Sequence, residues 1–188
     1  MVAPVALPRW PVEQYLALER GSDVRHEYLD GIVCARAGGS QRHSALCGPI
    51  GGLLFAALRG GPCRVYTSDL KVRVGPTRYF YPDVSVGCEA GAPSAEADWL
   101  AAPGLVVEVL SDSTAAYDRG DKRLAYQALP SLRHLLLVET ERRLVEVHRR
   151  AEGGLWTVRQ FGAGEVIELP DPGARLAVDD IYAGIALD

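Results

Sequence analysis

The chain carries two carboxylates and one lysine in an arrangement that suits metal-dependent hydrolysis. Asp83 and Glu108 each lie in a short strand-like apolar run, at 79–86 and 105–111. Lys122 lies in the helix-like run that follows them. Carboxylate oxygens bind hard divalent cations, and an amine can orient or help deprotonate an attacking water. Together the three residues predict one metal-dependent site.

Glu108 lies in an unusual setting for a charged residue. Three valines and a leucine surround it, which is the composition of a central strand covered on both faces. An ionised carboxylate is costly to bury there unless a cation, hydrogen bonds or an open cleft compensates it. If the strand of Asp83 is its neighbour, the two carboxylates converge and repel each other unless a metal ion or a proton lies between them. Magnesium fits best, because it takes oxygen ligands and keeps several waters.

Lys122 is placed by the helix after the Glu108 strand. Asp118, Lys122 and Tyr126 are spaced at i, i+4 and i+8, so they share roughly one helix face. Lys122 lies about 6 Å along the axis from Asp118, at ~1.5 Å per residue, so its long side chain can reach the end of the Glu108 strand. Only Lys71 and Lys122 among the 20 Lys and Arg residues are lysines. Because lysine can adjust its pKa and guanidinium stays protonated, this retained lysine suggests a chemical need.

Hydrophobic periodicity and turn residues predict the elements that hold these side chains. Helices are predicted at 11–20, 41–59 and 118–129, with a helical turn around 95–100. A hairpin is predicted around Asp30-Gly31, and further strands at 64–67, 70–74, 79–86, 105–110, 134–138, 144–148, 155–161 and 166–169. Pro170-Asp171 resembles Pro82-Asp83, but Pro172-Gly173 follow it, so a turn is predicted there.

Composition indicates a globular chain without a membrane segment. At 188 residues, with 48% hydrophobic and 23% charged residues, it can bury a substantial core. No apolar run approaches the roughly 18 residues that span a bilayer, and the start lacks the pattern of a secretory signal. We therefore expect one domain, at 1–188, in the cytoplasm.

The four cysteines are scattered without a Cys-x-x-Cys pair, at Cys34, Cys47, Cys63 and Cys88. Free cysteine is among the most buried residue types. We therefore expect small buried hydrophobes, with neither a zinc site nor a disulfide framework.

The net charge of −4 argues mildly against a nucleic-acid partner, because phosphate contacts usually give a domain a basic balance. A nuclease, however, also needs carboxylates for its metal, so the local distribution of charge decides. Five arginines in or beside the predicted site segments permit a basic rim: Arg42, Arg73, Arg78, Arg119 and Arg123. Scattered solvated arginines are the alternative.

The order of short motifs resembles a nuclease superfamily. Pro82-Asp83, Glu108-Val109-Leu110 and then Lys122 resemble the PD-(D/E)XK pattern. More closely, the chain resembles a bacterial family of restriction-endonuclease-like proteins, long catalogued as a domain of unknown function and common in cyanobacteria. Its pattern over about 10–185 runs through Arg25-His26-Glu27-Tyr28-Leu29-Asp30-Gly31, His43, Ser68-Asp69-Leu70, Pro82-Asp83-Val84, Val107-Glu108-Val109-Leu110-Ser111, Thr114, Asp118, Lys122 and Tyr126.

The resemblance implies an α/β (α+β) restriction-endonuclease-like fold. Its core, at about 41–139, has αβββαβ order and a central mixed sheet, with an N-terminal helix and hairpin and C-terminal β additions. The resemblance also implies that Asp83, Glu108 and the backbone carbonyl of Val109 hold one Mg²⁺, with Mn²⁺ as a substitute. Lys122 would then orient or help deprotonate the attacking water.

Two further catalytic candidates come from the same resemblance. In the family pattern Glu27 approaches the metal, and His43 opens the long helix where an acid of the superfamily often lies. A surface carboxylate and a helix-start histidine are the respective alternatives. The chain departs from the superfamily at Leu110, which occupies the usual position of the lysine, two residues after the glutamate. The resemblance suggests that Lys122 replaces it from the helix.

The expected activity is hydrolysis of phosphodiester bonds by a metal-dependent endonuclease acting on DNA. One alternative is a non-catalytic module that keeps the fold and binds nucleic acid or protein. Another is a nuclease or phosphodiesterase for RNA or for a small phosphate ester. By analogy with restriction-like enzymes, which often pair to cut both strands, a homodimer is expected.

Overall fold

A computed structural model describes residues 9–36, 38–88, 97–111 and 114–187. Its α-helices are α1 (Val12–Arg20), α2 (Gln41–Leu58), α3 (Ala115–Tyr117), α4 (Arg123–Gln127) and α5 (Val178–Ile181). Its strands are β1 (His26–Leu29), β2 (Ile32–Ala35), β3 (Arg64–Thr67), β4 (Lys71–Arg73), β5 (Arg78–Phe80), β6 (Val84–Gly87), β7 (Trp99–Leu100), β8 (Pro103–Val109), β9 (His134–Val138), β10 (Leu144–Arg150), β11 (Trp156–Gly162), β12 (Val166–Leu169) and β13 (Ala174–Ala177). A π-helical turn (Asp118–Lys122) joins α3 to α4, and a 3-10 turn (Glu152–Gly154) lies between β10 and β11.

The larger sheet is mixed and has the strand order β11-β10-β9-β8-β6-β3. The β8 and β9 strands are parallel, with the α3–α4 segment as their crossover, and the other neighbours are antiparallel. The predicted central mixed sheet is therefore confirmed. The β10 and β11 strands extend it, and β12 and β13 form a separate hairpin, so the predicted C-terminal β additions are also present.

Helix α2 covers one face of this sheet. Leu46, Ile50 and Leu54 on α2 are fully buried in one cluster with the odd-numbered β8 residues from Leu105 to Val109. The even-numbered β8 residues face the opposite way, into a second cluster that contains Tyr126 of α4. The alternation of β8 side chains, with apolar residues on both faces, is that of a doubly covered central strand.

The smaller sheet has the order β2-β1-β5-β4-β7 and is covered by α1. Tyr15 of α1 stacks on Tyr28 of β1 with ring centroids 4.8 Å apart. The β1–β2 hairpin turns at Asp30 and Gly31, whose φ values of 49° and 99° are the left-handed values expected for this residue pair. The predicted N-terminal helix and hairpin are thus confirmed.

The predicted strand at 79–86 is two strands in two sheets. The β5 strand pairs with β1 and β4 in the smaller sheet, whereas β6 pairs with β3 and β8 in the larger one. The ladder breaks at Tyr81-Pro82-Asp83, because Pro82 has no N–H to donate and proline does not continue a central strand. The break places Asp83 where the chain passes from one sheet to the other.

Three other local predictions need correction. Ala95 and Glu96 lie outside the described residues, but Trp99–Leu100 form β7, parallel to β4, rather than a helical turn. The helix expected from 118 already begins at Ala115 and contains a π-helical turn with an irregular Gly120. The β13 strand and α5 were not predicted, since short elements near the end of a chain carry little periodicity.

The cysteine prediction was wrong. Arg64 of β3 is paired with Gly87 of β6, so the preceding Cys63 and the following Cys88 lie opposite each other and form a disulfide. Cys34 is exposed and Cys47 is partly buried, both as free thiols. The register of β3 against β6 brings these two cysteines together, and the spacing of cysteines along the chain does not reveal that register.

Among the described helices, none is both long and apolar enough to cross a bilayer.

The central strand β9 allows a test of the packing that supports the site. Leu136 is fully buried, so Leu136→Ala should lower the free energy of unfolding by about 2–5 kcal/mol. Leu155 is 74% exposed, and Leu155→Ala should change the free energy of unfolding by less than about 0.5 kcal/mol. Urea denaturation measures both. Equal losses in the two variants would contradict the described core.

Candidate active site

Strand register brings Asp83 and Glu108 together. The β6 and β8 strands pair antiparallel, with Val84 opposite Val107, so Asp83 and Glu108 occupy the next opposed positions. The backbone N–H of Val109 donates to Oδ2 of Asp83 at 2.8 Å. The two residues are therefore opposed at the C-terminal end of β8, close enough for the charge of Asp83 to raise the pKa of Glu108.

Asp83 is buried and held by two cationic side chains. Arg36 donates from Nη2 to Oδ1 at 2.5 Å, and Nε2 of His43 lies 3.1 Å from Oδ2. Burial alone would raise the pKa of the Asp83 carboxyl. The hydrogen bonds from His43 and Val109 and the charge of Arg36 outweigh burial and lower that pKa. Asp83 is therefore ionised at neutral pH.

Glu108 is buried with fewer compensating groups. Its Oε1 accepts hydrogen bonds from the Tyr126 hydroxyl at 2.8 Å and contacts Nζ of Lys122 at 2.9 Å. Burial raises the pKa of the Glu108 carboxyl above its ordinary value. Lys122 opposes this shift, and the nearby Asp83 adds to it. The Glu108 carboxylate is thus a group that additional positive charge would stabilise.

Lys122 lies among three carboxylates. Besides Glu108, its Nζ is 3.1 Å from Oε1 of Glu27 and 3.5 Å from Oδ1 of Asp118. Burial lowers the pKa of Lys122, but the three carboxylates raise it more. The ammonium stays protonated at neutral pH, so in this arrangement Lys122 can donate hydrogen bonds and orient groups but cannot accept a proton.

Glu27 links the smaller sheet to this network. It lies on β1, and its Oε1 accepts the backbone N–H of Tyr81 at 3.0 Å while it contacts Lys122. Its side chain is 14% exposed, so the alternative of a surface carboxylate does not describe it. The hydrogen bond to Tyr81 also fixes the chain just before Asp83.

His43 approaches Asp83 from the first turn of α2. The side chain of Ser40 caps the helix by accepting the His43 N–H at 3.2 Å. The hydrogen bonds to Asp83 and to Cys47 raise the pKa of His43 to about 10. Gly39 lies close against the ring, because a Cβ at that position would be 2.6 Å from Nδ1. The ring therefore packs close to Gly39 on its Nδ1 side while Nε2 contacts Asp83.

The structure brings all five predicted catalytic residues into one region. His43 contacts Asp83, Lys122 joins Glu108 to Glu27, and Val109 connects the two groups through its N–H. The helix lysine reaches Glu108, as its spacing predicted. Their chemical roles stay predictions.

Sequence reasoning missed Arg36 and Cys47 as neighbours of Asp83. Arg36 follows the β2 strand and carries no spacing signal, since arginine is the commonest cation of this chain. Cys47 lies one helical turn after His43, with Sγ 3.7 Å from Nδ1, so an i, i+4 comparison along α2 would have found it.

The arginines expected to form a basic rim are mostly paired. Arg42 contacts Glu141 at 2.6 Å, Arg78 contacts Asp30 at 2.7 Å and Arg119 contacts Glu139 at 2.7 Å. Arg73 lies over the Trp99 ring, and Arg123 donates to the carbonyl of Arg119. The rim is therefore one of mixed charge.

The chemistry of the donor set fits a hard divalent cation. Asp83 and Glu108 supply adjacent carboxylates, and Val109 adds a backbone carbonyl at the same end of β8. Mg²⁺ prefers such oxygen ligands. A bound cation would counteract the raised pKa of Glu108, because positive charge favours the ionised carboxylate.

Comparison with known proteins places these residues in context. The family model Uma2, described as "Putative restriction endonuclease", matches residues 12–179. An uncharacterized Synechocystis protein, slr1290, is 38% identical over 180 residues, covering 95% of this chain and 94% of its own. A second uncharacterized Synechocystis protein, sll1609, is 27% identical over 158 residues, covering 83% and 89%.

One solved structure shares the fold. It is described as a putative nuclease belonging to DUF820 from Anabaena variabilis, and it matches with a TM-score of 0.75 at 18% identity. The match covers 91% of this chain and 96% of that one. At this identity the likeness shows the fold alone.

The buried charges make the site sensitive to loss of Lys122. Lys122→Met leaves three carboxylates without their shared cation and should cost about 3–5 kcal/mol in the free energy of unfolding at pH 7. Glu108, with a raised pKa when folded, binds a proton that the unfolded chain releases, so stability falls as pH rises through that pKa. The loss should therefore shrink toward pH ~4.3, the ordinary glutamate pKa.

Urea denaturation at several pH values measures this loss. Arg142→Met is the matched control, because it removes a mostly exposed cation from Glu139 and should cost less than about 1 kcal/mol. A pH-independent loss in Lys122→Met would show that packing, rather than charge, stabilises the site.

The contact between Gly39 and His43 gives a second test. Gly39→Ala places a methyl group against the ring, displaces it from Asp83 and should lower the pKa of His43 from about 10 toward its ordinary value. Gly38→Ala is the control, because no atom lies within 4 Å of its added Cβ. Titration of the histidine ring signals by NMR measures both, and equal His43 pKa values in the two variants would contradict the described packing.

Proposed function

The chain belongs to the Uma2 family of restriction-endonuclease-like proteins, and from this premise we propose that it is a metal-dependent endonuclease that hydrolyses phosphodiester bonds of DNA. The observation that carries the proposal is the 2.9 Å contact between Lys122 and Glu108, beside Asp83. The aspartate, glutamate and lysine of the nuclease pattern thus lie together, although Leu110 occupies the usual position of the lysine.

Asp83, Glu108 and the carbonyl of Val109 are the proposed Mg²⁺ ligands, with Mn²⁺ as a substitute. The bound ion would supply a water of lowered pKa and stabilise the charge that develops on the phosphate. Both oxygens of Asp83 already accept hydrogen bonds, from Arg36 at Oδ1 and from Val109 at Oδ2. Because each carboxylate oxygen has two acceptor sites, an ion would take the remaining site on Oδ1 beside Arg36 or would displace His43 from Oδ2.

Lys122 is proposed to orient the attacking water. Its raised pKa keeps the ammonium protonated, so it donates to the water or to the phosphate oxygens and does not act as the base. Glu27 is proposed to position Lys122, which it contacts at 3.1 Å. His43 is proposed to hold Asp83 in its orientation before the metal binds.

A homodimer is proposed because cutting both strands of a duplex requires two sites. The cytoplasm is the proposed location.

Nicking of supercoiled plasmid tests the proposed function. The wild type should nick DNA in Mg²⁺ or Mn²⁺ and not in excess EDTA. Asp83→Asn, Glu108→Gln and Lys122→Met should each lower the initial rate on the order of 100-fold or more, because each removes a group that acts on metal or water. Circular dichroism checks that each variant is folded at the assay temperature.

Asp171→Asn is the matched control, because Pro170-Asp171 is a second Pro-Asp pair, located in the turn between β12 and β13. It should leave the rate unchanged. Wild-type protein that nicks neither plasmid nor single-stranded RNA, or variants that cut as fast as wild type, would refute the nuclease. Metal-independent binding of an oligonucleotide without cleavage would instead support a non-catalytic module.

A further inference from the structure

We propose that His43, Cys47 and Asp83 form a second metal site, which takes a borderline transition metal such as Zn²⁺ rather than Mg²⁺. One ligand atom from each of the three residues lies within 4.8 Å of the other two. The nuclease chemistry proposed above makes no use of the Cys47 thiol. The cluster therefore offers a binding capacity beyond that reaction.

Two separate elements build this cluster. His43 and Cys47 are four residues apart on α2, so they lie on one helix face. Asp83 comes from the junction between β5 and β6, and its carboxylate contacts the imidazole at 3.1 Å. Metal sites are commonly built from two residues one turn apart on a helix and a third residue from another segment, because the helix fixes the spacing of the first two.

The distances are close to those that zinc requires. Zinc binds nitrogen and oxygen at ~2.0–2.2 Å and sulfur at ~2.3 Å in a tetrahedron, so its ligand atoms lie roughly 3.3–3.8 Å apart. These two neighbours lie at different ring nitrogens of His43: Nδ1 is 3.7 Å from Sγ of Cys47, and Nε2 is 3.1 Å from Oδ2 of Asp83. Because one ion binds only one of these nitrogens, the His43 ring must turn to bring a single nitrogen toward both Cys47 and Asp83. One ligand atom from each residue already lies within 4.8 Å of the others, so the movements needed are on the order of 1–2 Å.

The ligand types select the metal. A thiolate and an imidazole favour Zn²⁺, Co²⁺ and similar ions, whereas Mg²⁺ is held by oxygens. Three protein ligands leave a fourth position open to water. Cys47 is a free thiol and His43 is partly exposed, so an ion can enter from solvent. The ligands bind as thiolate and neutral imidazole, so the ion must displace a proton from each.

Sharing of Asp83 makes the two metals compete. This consequence rests on the proposed function, because Asp83 is also a proposed Mg²⁺ ligand. An ion on His43, Cys47 and Asp83 would occupy a carboxylate that the proposed Mg²⁺ site also needs, so Zn²⁺ would inhibit a Mg²⁺-dependent reaction there.

Cobalt is the probe for the test, because a Co²⁺–thiolate bond gives an ultraviolet charge-transfer band that oxygen ligands do not give. The titration is done anaerobically and without reductant, so that the disulfide between Cys63 and Cys88 stays closed. The wild type should develop the band, and Zn²⁺ should abolish it by displacement. Cys47→Ser should lose the band and bind Zn²⁺ at least about 10-fold more weakly, since even outer partners of a metal site contribute that much.

Cys34→Ser is the matched control, because Cys34 is the other free thiol and is exposed on β2. It should keep the band and the Zn²⁺ affinity. Absence of the band in the wild type, or its survival in Cys47→Ser, would overturn the proposed site.

Glu108→Gln separates this inference from the nuclease proposal. Glu108 is not part of the His43, Cys47 and Asp83 cluster, so this variant should still show the Co²⁺ band, whereas Asp83→Asn should weaken Co²⁺ binding. A band in a protein that never cleaves nucleic acid would support the transition-metal site and refute the nuclease. Mg²⁺-dependent cleavage without a Co²⁺ band would support the nuclease and refute the transition-metal site.

Discussion

The cost of burying the Glu108 carboxylate governs the arrangement of this molecule. Glu108 lies on the central strand of the larger sheet and is 3% exposed, so charge and hydrogen bonds must reach it from other elements. Tyr126 and Lys122 reach it from the crossover between β8 and β9. Lys122 also contacts Glu27 of β1, so the same lysine connects the crossover segment to both sheets.

The sequence allowed much of this site to be predicted because local rules governed it. Alternation along β8 and the i, i+4 spacing of Asp118 and Lys122 are properties of single elements, and both appear in the structure. Arg36, the Cys63–Cys88 disulfide and the division of the 79–86 run could not be predicted in the same way. Each depends on which strands become neighbours and in what register, and long-range pairing leaves no fixed spacing in one sequence.

Pro82 shows how a local constraint can have a long-range result. Without its N–H the ladder cannot continue, so the chain leaves the smaller sheet and enters the larger one within three residues. Asp83 therefore lies outside the regular strand, where Arg36, His43 and the Val109 N–H converge on it. An aspartate inside a regular β6 strand would have pairing neighbours on both sides and less room for three donors and a metal.

The position of Leu110 explains why a helix, rather than the strand, supplies the lysine. Leu110 shares the face of Glu108 and is 2% exposed in the apolar cluster that includes Val106 and Tyr126. A lysine there would bring its charge into that apolar cluster, and an ammonium buried among apolar side chains is costly. Lys122 instead enters from the π-helical turn, where Glu27, Asp118 and Glu108 together compensate its charge. The strand keeps its apolar packing, and the ammonium still reaches the glutamate.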